Sequence, residues 1–371
     1  MTRQILILSG IYPPDTGGPA KFAESFGNWC QSAGDVTTVM SYTNDENSDR
    51  SYGNSRIFLL SRRYSLPLRY FKFIRAFYAL QKKADAIIIN GCFIEVSLAR
   101  FFFKFSYSAK IPGDIVWERA RNSGLTSLDI DSFQFSKTKF KFKVMRFFFS
   151  RSLLKARRVI VPSTHLKQLA KSWGVPDDRI ILVYNSIDLK KFLPNKRLQS
   201  EFDVLAVCRL VPWKGMDEVI RACASLNLSL CVVGDGPEGS NLKQLSADLN
   251  ARVTFLGEVS QQYLPEIYSR AKFFVLNSSF EATSYALLEA RASGLVCIAN
   301  ANTGSEEIIA HKEDGFICKG KDELKLTQAL EIATDLKFDY DSFSRLAVLD
   351  TESRFNVDTN FREIRNRILD K

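Results

Sequence analysis

The sequence predicts an α/β protein built from two doubly wound parallel-sheet domains, and three observations carry that prediction. The chain has 371 residues, more than one hydrophobic core usually serves. Short apolar runs alternate with segments of helical period along nearly its whole length, the pattern of repeated βαβ units. Charge also divides the chain. Residues 1–195 hold 30 Lys+Arg against 15 Asp+Glu, whereas residues 196–371 hold 21 against 26. A boundary near 190–200 follows, with one domain at 1–192 and a second at 196–345.

Taken in order, RQILILSG is a buried strand, IYPPDTGGPA a loop and KFAESFGNWCQSAG a helix. AIIING and RRVIVPS are further parallel-type strands with helices between them, and RIILVYNSID is a strand before a loop. The alternation restarts with FDVLAVCRL and continues through MDEVIRACASL (helix), LSLCVVGDG (strand) and GSNLKQLSADL (helix). RVTFLG, QYLPEIYSRA and FFVLNS repeat the unit. SYALLEARA is a helix that stops at Gly294, and GLVCIAN and a helix after Gly304 follow. There is no internal repeat and no low-complexity segment.

Composition sets limits. Hydrophobic residues at 46% and charged residues at 25% suit a soluble globular protein. No apolar run reaches the ~18 residues of a membrane span; the greasiest stretch, LARFFFKFSYSA, is broken by Arg100 and Lys104. The N-terminus has an apolar strand but no cleavage-type signal peptide. Seven cysteines, odd in number and without a CxxC, point to reduced thiols in a cytoplasm. No His/Asp/Cys cluster has metal-ligand spacing, so no metal is expected.

Ligands of open α/β sheets bind at the carboxyl ends of strands, and several turns there carry unusual residues. Gly17 and Gly18 occupy the first strand-to-helix turn, either to let backbone approach an anion or simply to make a tight turn. Arg209 and Lys214, in CRLVPWKG, are two cations suited to a diphosphate. The Gly-Asp-Gly of VVGDGPE is architectural. In NSSFEATSYALLEARASG, Glu281 sits at the strand-to-helix turn and Glu289 lies inside an apolar helix. A buried carboxylate without a partner is expensive, so the pair asks for a ligand or a salt bridge.

YPPDTGGPAKF, VPSTHLKQLA, VYNSID, VCRLVPWKG, LCVVGDGPE, VTFLGEV, FEATSYALLEA and TGSEEIIAHKEDGFIC occur in this order and spacing. Together they resemble the retaining family 4 glycosyltransferases (glycosyl transferases group 1) of the GT-B fold. The resemblance implies two Rossmann-like domains facing each other across a cleft, an acceptor domain first and a nucleotide-sugar donor domain second. It also implies that a C-terminal helix, at 350–371, returns to the first domain. By likeness, Glu281 and Glu289 form the family's Glu-x7-Glu motif. Glu289 then accepts hydrogen bonds from the ribose, and Glu281 contacts the transferred sugar near the reacting carbon. Arg209 and Lys214 become the diphosphate clamp. Ser284 and the amides of Tyr285 and Ala286 add to it, Glu258 and Val259 lie against the base, and Gly17 and Gly18 approach the donor. Many relatives carry a histidine beside the donor sugar; here the corresponding stretch, KIPGDIVWERARNSG, has Asp114, with a catalytic and a structural reading both open. His165 and His311 stand elsewhere. Ala282, Thr283 and Ser284 replace a more usual Gly-Phe-Gly type of sequence, which leaves the donor sugar undefined.

The implied activity is transfer of a sugar from a nucleotide diphosphate sugar with retention, without metal, to a lipid-linked glycan of bacterial surface polysaccharide such as lipopolysaccharide. A non-enzymatic sugar-nucleotide-binding protein and a sugar-nucleotide epimerase of the same fold are the rivals. The cationic stretches 61–83 and 137–158 interleave Lys/Arg with Phe/Tyr. They read as a solvated face, a nucleic-acid surface without a recognised module, or an anionic membrane surface. The last is taken, which places the protein in the cytoplasm, peripheral at the inner face of the membrane.

Overall fold

The computed structural model describes residues 2–44, 49–52, 55–194, 200–301, 304–319 and 324–370. The expected start of the second domain at 196 falls outside these residues. Two compact units divide the chain: Met1–Tyr184 with Asp358–Lys371, and Asn185–Val357.

The first unit is built on an eight-stranded sheet. Across it run Asp49–Tyr52, Ser55–Ser61, Val36–Thr43, Gln4–Ser9, Ala86–Asn90, Ser108–Lys110, Val159–Val161 and Ile180–Leu182. The Asp49–Tyr52 edge strand is antiparallel and the others pair in parallel. Ala86–Asn90 and Val159–Val161 are buried along their whole length and Gln4–Ser9 from its second residue, as expected of strands covered on both faces.

The second unit has a six-stranded parallel sheet in the order Val253–Gly257, Leu230–Val233, Phe202–Val207, Ala271–Leu276, Val296–Asn300, Gly315–Cys318. In sequence ranks that is 3-2-1-4-5-6, the doubly wound Rossmann order. Val204, Val232, Val296 and Ile298 on these strands are fully buried, and Val219, Ile220 and Cys223 of the Met216–Ser225 helix pack against them.

The last helix, Val357–Leu369, begins where the second unit ends. Its Phe361 ring sits edge-on to Phe22 and Phe26 at 5.9 and 5.3 Å. Arg365 forks onto the buried carboxylate of Asp35, with nitrogen–oxygen distances of 2.5 and 2.8 Å. Within the second unit, the entering and leaving chain are joined by the Ile187 amide to the Phe355 carbonyl (3.1 Å) and the Val357 amide to the Ile187 carbonyl (3.2 Å).

Candidate functional site

A doubly wound sheet has a crevice where its strand order reverses, because loops from adjacent strands there run to opposite faces. In the second unit that point lies between Phe202–Val207 and Ala271–Leu276. The loop after the first strand carries Arg209 and Lys214, and the loop after the second carries Glu281.

These loops are clasped together. The chain makes a 3-10 turn over Pro212–Lys214 and reverses at Gly215, whose φ of 59° is left-handed. A Cβ at Gly215 would stand 2.6 Å from Asn277 Nδ2. That nitrogen donates to the Gly215 carbonyl and to Glu218 Oε2, both at 2.9 Å. The Ser279 amide donates to the Trp213 carbonyl at 2.9 Å. The clasp delivers Lys214 Nζ to Glu281 Oε1 as an ion pair, with side chains 11% and 17% exposed. Ser278 Oγ donates to the same oxygen at 3.0 Å. Arg209, exposed at the same strand end, makes no ion pair among the described residues.

The following helix, Tyr285–Ala292, is capped by Ser284, whose Oγ accepts from the Leu287 amide at 3.4 Å. The cap leaves the Tyr285 and Ala286 amides in the first turn, beyond the intrahelical ladder. Glu289 is 3% exposed and accepts a 2.9 Å hydrogen bond from the Tyr268 hydroxyl. Arg291, fully buried, donates to both oxygens of Asp314 (3.0 and 2.7 Å) and to Asp350 at 2.9 Å. The Gly-Asp-Gly turn is tied to the Arg209 loop in both directions: Leu210 donates to the Asp235 carbonyl at 2.9 Å, and Glu238 to the Leu210 carbonyl at 3.1 Å. Its role is support. Glu258 and Val259 follow Gly257 two strands from the switch point, the first exposed and the second half-buried.

The first unit has its own switch point, between Gln4–Ser9 and Ala86–Asn90. Gly17 precedes the Gly18–Ser32 helix with a φ of 138°. In the same loop Asp15 pairs with Arg62 at 2.5 Å, and Arg62 also donates to the Gly10 carbonyl at 3.3 Å. After Asn90, Glu95 lies in the first turn of the Phe93–Ala99 helix and accepts from the Tyr42 hydroxyl at 3.0 Å. Burial holds the Glu95 carboxyl above the usual carboxylate range, against the pull of the Tyr42 hydrogen bond, Arg119 and Arg69. Tyr42, Arg62 and Glu95 were missed from sequence. The signal was available: FIEVSLA sets one acid in an apolar helix, as LLEARA does around Glu289.

Asp114 is fully buried. Its Oδ1 accepts the Val116 and Trp117 amides (2.9 and 3.2 Å), capping the Ile115–Asn122 helix. Its Oδ2 accepts from Gln134 Nε2 at 3.0 Å and Arg146 Nη2 at 2.6 Å. With two donors on each oxygen, the geometry supports the structural reading. His165 starts a helix and bonds Asp131 at 2.9 Å. Among the described residues no three His, Cys, Asp or Glu side chains are grouped to hold a metal ion.

Residues 188–345 match the family glycosyl transferases group 1. The O-antigen chain mannosyltransferase RfbU of Salmonella typhimurium is 30% identical over 187 residues, 48% of this chain and 52% of that protein. The chain spans about half the length of the curated relatives it matches. Sucrose-phosphate synthase of Thermosynechococcus elongatus superposes with a TM-score of 0.82 at 20% identity over 98% of both chains. Anabaena Alr3699/HepE, crystallised with UDP and glucose, superposes with a TM-score of 0.76 at 18% identity, over 98% of this chain and 99% of that one.

Proposed function

From a chain whose residues 188–345 match the family glycosyl transferases group 1, with the two Rossmann-like domains of the GT-B fold, we propose a retaining, metal-independent glycosyltransferase. It moves a hexosyl group from a nucleoside diphosphate sugar to an acceptor. The observation that carries this reading is the Lys214–Glu281 pair at the switch point of the second sheet, with Arg209 at the same strand end and the Tyr285–Ala292 helix starting just beyond. A carboxylate for sugar hydroxyls beside a cation for phosphate is the pairing that a sugar diphosphate needs. HepE, a structural neighbour, binds UDP and glucose.

In the reaction, an acceptor hydroxyl attacks the anomeric carbon from the face that the diphosphate leaves. The new C–O bond forms as the C–O bond to phosphate breaks, and the acceptor proton passes to the leaving phosphate oxygen. Arg209 and Lys214 neutralise the charge that builds on that oxygen and its neighbours, the work otherwise done by a divalent ion. Glu281 orients the sugar, Glu289 the ribose, and the Tyr285 and Ala286 amides add fixed dipole. No protein base is required.

The acceptor in this reading is a lipid-linked glycan of a surface polysaccharide, met at the inner face of the cytoplasmic membrane. Two facts support that. RfbU, a relative, acts on the O-antigen chain. Phe140, Phe147, Phe71 and Leu66 are also exposed on the cationic stretches of the first unit, whereas no described helix is long and apolar enough to cross a membrane.

The test supplies UDP-, GDP-, ADP- and dTDP-sugars with and without a lipid-linked glycan, in EDTA, and follows nucleotide release and product anomer by NMR. Acceptor-dependent release with the donor's anomeric configuration is expected. Donor isomerisation without acceptor would identify an epimerase, and thermal stabilisation without turnover a binding protein. Activity that EDTA abolishes and a divalent ion restores would end the metal-independent mechanism.

A further inference from the structure

The helix Phe140–Leu154 and the Ile130–Gln134 helix before it enclose a groove of about 320 Å³ within the first unit. Phe133, Phe142, Phe147 and Val116 form its apolar walls, and Lys143 and Arg146 supply its cations. Among the described residues no acid lines it, and none occurs in the sequence from Lys137 to Arg158, a stretch with nine Lys and Arg. Arg146 donates through Nη2 to Asp114 and its guanidinium lies over the Phe149 and Trp173 rings at 5.8 and 5.3 Å, while Nη1 has no hydrogen-bond partner among the described residues. Asp114 does not make the groove anionic, since two amides, Gln134 and Arg146 already meet its charge. The helix that lines the groove also starts without a side-chain cap or an acid in its first turn, so its N-terminal amides favour an anion.

We propose that this groove is a binding site for an anionic lipid. The lipid phosphate sits against Lys143 with the charge of the Arg146 guanidinium behind it, and the start of the hydrocarbon chain lies along Phe142 and Phe147. A free phosphate would use the cations but not the phenyl walls, whereas a neutral lipid would use the walls and give the cations no anion. Phe140 and Phe147, 81% and 60% exposed on the same helix, continue the apolar path outward. The proposal rests on the reading of the first unit as membrane-seated, and adds to it one defined headgroup site.

The experiment titrates the full-length protein with monomeric dioctanoyl phosphatidic acid, dioctanoyl phosphatidylcholine and inorganic phosphate by calorimetry. Phosphatidic acid should bind at least about tenfold more tightly than either of the others. Thr138→Trp, which fills the groove and keeps every charge, and Lys143→Gln should each weaken that binding by about tenfold with the melting temperature unchanged. Equal binding of phosphate and phosphatidic acid would overturn the proposal in favour of a free-anion site. Absent binding, or binding indifferent to both substitutions, would overturn it outright. Co-sedimentation with phosphatidylglycerol vesicles separates the two readings. If wild type sediments but the titration fails, the groove is withdrawn and the membrane seat stands. If the titration succeeds but nothing sediments, the groove stands and the membrane seat falls.

Discussion

Lys214 is held by what surrounds it rather than by its own flexible stem. Gly215 reverses the chain behind it, Asn277 and Ser279 fasten its loop, and Glu281 receives its ammonium. A cation fixed in advance need not reorganise when charge develops on a leaving group, and such groups contribute most to rate. Lys214→Ala should therefore lower the turnover of the folded protein by about 100-fold or more. Steady-state kinetics decide it; turnover within twofold of wild type would remove Lys214 from the mechanism. Asp114 should behave oppositely. Asp114→Ala removes a helix cap and strands Arg146, a loss of about 3 kcal/mol on the scale of broken buried ion pairs. Denaturant titration should show that loss while the folded fraction keeps its turnover. A stable but inactive variant would restore a catalytic role.

The helix Tyr285–Ala292 carries Glu289 on an almost wholly buried segment, so its position depends on anchors other than a solvent face. Tyr268 meets Glu289, and Arg291 locks the helix through Asp314 and Asp350. Arg291→Met should unfold the second unit more easily by about 3–5 kcal/mol, since the buried Asp314 carboxylate loses its cation and the part-exposed Asp350 keeps only Arg354; a urea midpoint unchanged from wild type would contradict this. Sequence made the two glutamates visible because a carboxylate in an apolar run is conspicuous. Arg291 escaped notice because a cation near a helix C-terminus looks like ordinary dipole compensation, and its partners lie 23 and 59 residues away. The strands Val36–Thr43 and Ser55–Ser61 were missed for a related reason. VTTVMSYT sets Thr37, Ser41 and Thr43 in buried positions that only the neighbouring strands make tolerable, and SRIFLLS opens on polar residues before its apolar run. The continuous apolar strands needed no such context. Asp114 shows the limit at the other side: its cap on the Val116 and Trp117 amides is local, but the donors that fill its other oxygen lie 20 and 32 residues away and could not be read from the loop.

At the scale of the whole molecule, charge divides the chain, with a +15 balance in the first 195 residues against −5 in the rest, and the membrane reading of the first unit is the one proposed for that excess. Lys137, Lys139, Lys141 and Lys143 are all exposed, and each cation near an anionic surface is worth about 1 kcal/mol. Changing the four to Glu should release the protein from anionic vesicles at low salt while donor hydrolysis in solution persists. Co-sedimentation of wild type and variant checks it, and wild type left in the supernatant would reduce the patch to a solvated face. The division also has an order in time. The first unit closes its Phe22–Phe26 face with Phe361, a residue that the ribosome adds only after all of Asn185–Val357 has been made. Ile187 and Phe355 join the two ends of that intervening unit, so it can finish folding while its host is still open. A chain ended at residue 357 and released from the ribosome should contain a protease-resistant second unit beside a first unit that is still easily cut, so the unit that is begun first is completed last.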